Sequence, residues 1–200
     1  MRKLFTMCVA AFMLLACFVQ NGMCREQVNF YDILNNAREV KTYVADITDS
    51  SGQAKGMTGE LKKVLEDALA TRMSIHFVLV KDKKDADIVI TCDITESIWL
   101  KDDPIDNIHG IGPAAYDIAM KQNYARMNAV FTVERGPEKK ELFKWMGGRF
   151  LRREYLWKEE ISGQVTKTDM PEKESIPLVE ERLVKVFMRR CFSRNAKPLK

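Results

Sequence analysis

Two histidines, a trio of aspartates and five cysteines hold most of the chemical options in this chain of 200 residues. His76 lies in an apolar, β-branched run and His109 in a long polar connection, and neither has a second ligand at the short spacing of a zinc site. Asp102, Asp103 and Asp106 offer paired carboxylates for proton transfer or cation binding, without the glycine and closing glutamate of a calcium loop. Gly110-Ile111-Gly112-Pro113 reads as a turn, since Pro113 removes an amide donor and no strand-to-helix glycine fingerprint surrounds it. Cys24, beside Arg25, is the thiol expected to be exposed, and no histidine accompanies it as a nucleophile requires. These residues predict a protein without catalytic residues, metal or cofactor.

Cys17 offers a different chemistry. Arg2 and Lys3 precede an apolar run over residues 4–16 that only Thr6 and Cys8 interrupt. Crossing a hydrocarbon core ~30 Å thick takes about 20 apolar residues, so the run reads as an export signal rather than a membrane span. No pair of small residues closes it for ordinary cleavage. Leu14-Leu15-Ala16-Cys17 closes it instead and is similar to a lipobox, in which the cysteine sulfur is diacylated and becomes the first residue of the mature chain. The alternative is an unmodified cysteine within an ordinary leader. Each buried acyl methylene contributes about 0.8 kcal/mol, so two chains give a durable tether without a spanning helix. Phe18, rather than Asp, after the anchor implies sorting to the periplasmic face of an outer membrane, by resemblance to bacterial lipoproteins.

The elements that must carry any surface behind that anchor are read from periodicity. Residues 1–16 form the signal, 17–38 the anchor and a tether with a helical turn near Phe30, 39–192 one domain, and 193–200 a basic tail. Val40, Tyr43, Val44 and Ile47 predict a strand over 40–48, closed by Asp49-Ser50-Ser51-Gly52. Met57, Leu61, Val64, Leu65, Ala68 and Arg72 recur at helical spacing. Residues 75–80 suit a strand, and 81–85 turn it back into a long strand over 86–99, where Ile88, Ile90, Cys92 and Ile94 alternate with partly polar neighbours. Met127, Ala129, Phe131 and Val133 repeat that alternation, with residues 141–150 as the expected hairpin partner. Ile176, Val179, Leu183, Val186 and Phe187 mark a last amphipathic helix, with Pro177 in its first turn. The order β-α-β-β-β-β-α predicts an α+β fold: a two-layer sandwich of one mixed sheet of about five strands with both helices on one face. Its first two strands are expected parallel and its later ones an antiparallel meander. Cys92 and Cys191 fall on apolar stripes, where they read as buried thiols or as a disulfide pair. Net charge is +4, with no long block of like charge and no low-complexity tract, so neither disorder nor nucleic-acid binding is expected.

Three strings carry a family resemblance: Val44-Ala45-Asp46-Ile47-Thr48-Asp49-Ser50, residues 61–69, and Lys84-Asp85-Ala86-Asp87-Ile88-Val89-Ile90. With the lipobox and the order of elements, residues 40–192 resemble the lipopolysaccharide-assembly lipoprotein (LptE-like) family. That resemblance implies a non-catalytic assembly factor whose partners are an outer-membrane β-barrel and lipopolysaccharide. The chain departs from the pattern in the long connection over 100–122. It departs again over 145–167, where Arg149, Arg152, Arg153, Tyr155 and Trp157 mix positive charge with aromatic rings. One reading of these five is a contact for an anionic glycolipid or a barrel partner, because arginine pairs with phosphate and Tyr and Trp suit half-wet surfaces. The other is an amphipathic strand end with solvated arginines. The alternative function is a lipoprotein that binds a small ligand or activates a peptidoglycan-synthesis enzyme.

Overall fold

The alternation of Ile88, Ile90, Cys92 and Ile94 becomes the centre of the sheet. The computed structural model describes residues 30–54, 56–100, 122–137, 155–168 and 171–193. Along the chain these form α1 (Phe30–Asn36), β1 (Val40–Val44), β2 (Thr48–Asp49), α2 (Thr58–Ala70), β3 (Phe77–Leu79), a 3-10 turn (Lys83–Asp85), β4 (Ile88–Leu100), β5 (Gln122–Arg135), β6 (Trp157–Thr168) and α3 (Glu172–Cys191). The sheet order is β3-β1-β4-β5-β6, with β2 also against β4. β1 runs parallel to β3 and β4, and β4, β5 and β6 are antiparallel. The α+β sandwich and its element order are therefore as expected, with α2 packed on β3 and α3, and α3 on β5 and β6.

Several boundaries move for physical reasons. The expected first strand is two pieces: Val44 pairs with Ile90 and Thr48 with Asp93, so the chain spends one residue more than β4 does between them and bulges. Residues 81–85 do not turn β3 back onto β4. Both run parallel to β1 and flank it, Leu79 and Ile88 each lying opposite Thr42. Residues 141–150 lie outside the described residues, and β5 has β4 on one edge and β6 on the other, so its hairpin partner is β6. Pro177 stands inside α3 rather than in its first turn, because the helix begins at Glu172 behind Pro171.

The core lies between the layers. Leu61, Leu65 and Leu69 form a fully buried i, i+4 stripe on α2, each contributing about 1.5–3 kcal/mol by burial. Leu34 of α1 is also fully buried. The Phe187 ring of α3 stacks on Phe131 at 4.3 Å between centroids, and Trp157 and Phe192 close round it at 5.5 Å each. Where α3 crosses β6, a Cβ on Gly163 would lie 2.8 Å from the Leu183 nitrogen and the Val179 oxygen and 2.9 Å from the Leu183 Cβ. The first two are helix backbone atoms and the Cβ is fixed to the backbone, so none can rotate aside, and Gly163→Ala is expected to lift α3 from the sheet and cost about 1–3 kcal/mol in urea unfolding. An unchanged midpoint would show that the approach is looser.

Candidate partner-binding surface

Two strings that carry the family resemblance turn out to be joints. The Asp49 carboxylate accepts from the amides of Ser51, Gly52 and Ala54 and from the Ser51 hydroxyl, winding the chain through Gly52 at φ +67° toward α2. The Ser51 hydroxyl, ahead of those amides, holds the Asp49 carboxyl below the usual range. Asp87 clasps β1: its carboxylate accepts from the Lys41 amide at 2.8 Å and its own amide donates to the Lys41 carbonyl at 2.7 Å. Its carbonyl also accepts from Gly136 at 2.8 Å, just beyond β5. These aspartates position strands, and the sheet they hold presents the surface.

Opposite the helices, the sheet turns a polar face outward. A bulge in β4 between Ile94 and Glu96 builds part of it, because it reverses the phase of the strand. Before the bulge Ile90, Cys92 and Ile94 face the core; after it Ser97 and Trp99 lie opposite Met127 and Ala125 of the core row, and Glu96 and Ile98 take the outer face. Glu96 accepts from Arg126 through Nη2 at 2.9 Å and from Asn128 through Nδ2 at 2.7 Å. That carboxylate, through its hydrogen bond, holds the Arg126 guanidinium above its ordinary range. Thr95, the bulged residue, donates to the Asn128 carbonyl at 3.2 Å, and Thr48 donates to Asp93 at 2.7 Å. Each such half-exposed pair adds at most about 1 kcal/mol to stability, so its main effect is to set the pattern of charge that a partner meets.

At one end of the sandwich a small cleft lies among Met57, Ser97, Trp99, Arg126, Ser175 and Val179. The Trp99 indole N–H is enclosed there without an acceptor among the described residues. The space is about 50 Å³, well short of the roughly 300 Å³ at which small-molecule pockets begin. Among the described residues, no group of three His, Cys, Asp or Glu side chains could hold a metal ion.

Of the sequence-selected site residues, Cys17, Arg149, Arg152 and Arg153 lie outside the described residues. Tyr155 is exposed, with the Lys158 ammonium 5.7 Å from its ring centroid. Trp157 is corrected: only 5 % exposed and packed on Phe187, it belongs to the core and offers no ring to a partner. Tyr155 and Trp157 are thus close in sequence but divided between surface and interior. His76 is exposed just before β3, while His109, Cys24, Asp102, Asp103 and Asp106 lie outside the described residues. Cys92 and Cys191 are buried free thiols, and burial pushes both above the ordinary thiol range. Sequence reasoning missed the Glu96–Arg126–Asn128 network, although the stagger from Ile94 to Trp99 signals the change of phase.

No family model matches the chain, and no curated protein matches it. The structural relatives are distant ones. A hypothetical protein of Chlamydia trachomatis aligns at 9 % identity over 76 % of this chain and 95 % of its own, with a TM-score of 0.47. PelC of Paraburkholderia phytofirmans, solved as a dodecamer, aligns at 10 % identity over 79 % and 92 %, with a TM-score of 0.45. A lipoprotein of Neisseria meningitidis aligns at 10 % identity over 75 % and 99 %, with a TM-score of 0.38. At these values the likeness is one of distant shape and transfers no role.

Proposed function

We propose that the chain is a lipid-anchored protein of the bacterial cell envelope, a non-catalytic assembly factor at the periplasmic face of an outer membrane. In this reading its partner is an outer-membrane β-barrel engaged in lipopolysaccharide transport. The observation that carries it is Leu14-Leu15-Ala16-Cys17 at the close of an apolar leader. Among the described residues no helix is long and apolar enough to cross a membrane, and in this reading the acyl chains on Cys17 supply the attachment. The polar sheet face and the solvated Tyr155 supply contacts for the partner, and Arg149, Arg152 and Arg153 supply cations suited to lipid phosphates.

The test has two stages. Intact mass of protein purified from its native membrane is expected to show a diacylglycerol on Cys17 that a Cys17→Ser variant lacks. Cross-linking in the same membranes is then expected to capture a barrel with the wild type. An unlipidated mature protein would remove the anchor, and lipidated protein that captures no barrel would defeat the assembly role while leaving the anchor in place.

A further inference from the structure

One carboxyl is buried where the fold needs an apolar side chain. Glu180 is 1 % exposed in the middle of the buried arc that Val179, Leu183, Val184 and Phe187 form on α3. Its Oε1 is enclosed and has no hydrogen-bond partner among the described residues. The elements packed against α3 are β5, β6 and α2. From β5 the core face offers Ala125, Met127, Ala129, Phe131 and Val133, none of which titrates. From β6, among the described side chains, it offers one titratable group, Glu159, whose carboxylate is taken by Arg190. β4 adds the buried Cys92 thiol within the same core. From α2, the charge that acts on Glu180 is Glu60, a second carboxylate in that helix's first turn. The chain thus places an acid among apolar groups and next to a like charge, which disfavours ionisation.

We propose that Glu180 makes the packing of α3 against the start of α2 proton-operated: the folded domain holds this carboxyl neutral, and its ionisation loosens that contact. The reading stands apart from the envelope function and survives or fails without it. Burial first, and the Glu60 carboxylate second, push the Glu180 carboxyl from the ordinary 4.5 up to about 7. The sign follows from linkage: between those two values the folded chain keeps a proton that the unfolded chain has released, so stability falls as pH rises. Below the lower value both states are protonated and the effect is flat; above the upper value the loss is complete.

The test compares the full-length protein with Glu180→Gln, which keeps the shape and removes the titration. Across the window the wild-type folding equilibrium constant is expected to fall by up to about tenfold per pH unit relative to the variant. Parallel stability curves for the two would overturn the proposal. Should the variant fail to fold, wild-type protein with carbon-labelled glutamate side chains decides the matter by nuclear magnetic resonance. A Glu180 carboxyl titrating with the surface glutamates would overturn the proposal. A midpoint well above theirs, with amide protection in the first turns of α2 and α3, relative to the intrinsic exchange rate at each pH, falling as pH rises, would support it.

Discussion

Gly136→Ala is expected to destabilise the domain by about 3 kcal/mol or more, the largest effect of any single methyl group added to the described glycines. A Cβ at this position would lie 1.7 Å from the Ala86 carbonyl oxygen and 2.7 Å from its carbon. Both are backbone atoms, so relief requires moving a chain segment. That segment is tied on every side: the Gly136 amide donates to the Asp87 carbonyl, and Asp87 holds Lys41 through two further hydrogen bonds. A shift at Gly136 therefore reaches β1, β4 and β5 together. Gly59→Ala is the control, because a Cβ there meets nothing within 4 Å and the residue lies in α2. Alanine is favoured over glycine in a helix by about 0.5–1 kcal/mol. Urea unfolding of both variants checks the pair, and a Gly136 variant as stable as the wild type would refute the joint.

Phe187→Ala is expected to cost about 3–5 kcal/mol, as truncations of fully buried aromatic side chains do. The ring is 0 % exposed and lies within 13° of parallel to Phe131, with Trp157 and Phe192 at its sides. Removing it leaves three aromatic rings facing a void that rigid strands on one side and helix backbone on the other cannot fill. Phe187→Leu keeps most of the volume and is expected to lose far less, roughly 1.5 kcal/mol. The readout is the midpoint of urea unfolding at unchanged slope, since a changed slope would mean that the compactness of one state had altered. A small loss for alanine would mean that α3 settles into the space.

How much of this was legible in the sequence depended on whether a residue's environment was local. The helix α2 and the strand β4 were, because their apolar spacing answers to one buried face each. Cys92 and Cys191 were placed correctly in the interior, and they remain free thiols. β6 is not legible as a strand, and its core row explains why: Trp157, Ile161 and Val165 alternate with Glu159, which Arg190 reaches, and with Gly163, which the backbone of α3 requires. Distant partners overwrite two positions of the pattern, and the arginines and aromatic rings just ahead of it admit a partner contact as readily as an amphipathic strand end. For the same reason the spacing alone leaves open whether Trp157 faces a partner or the core, and the structure puts it in the core. The bulge at Thr95 hid the outer-face network, since it inverts the strict alternation on which the face assignment rested. Glu180 is not legible in the spacing because a charged residue beside a helical apolar stripe ordinarily faces solvent.

The position of β1 between β3 and β4 bears on the order in which this chain can assemble. The first strand in sequence is not an edge that waits for one neighbour; its opening residues pair with Phe77–Leu79 and its closing residues with the start of Ile88–Leu100. Both neighbours arrive later in the chain, and the Lys41–Asp87 clasp spans 46 residues. Ordering that much intervening chain comes before the contacts that reward it, which slows folding. A chain delivered from its amino end must therefore keep β1 unpaired until β3 arrives and one of its edges open until β4 has followed, and for that interval a half-apolar strand edge stands open to any holding partner or any other unfinished copy.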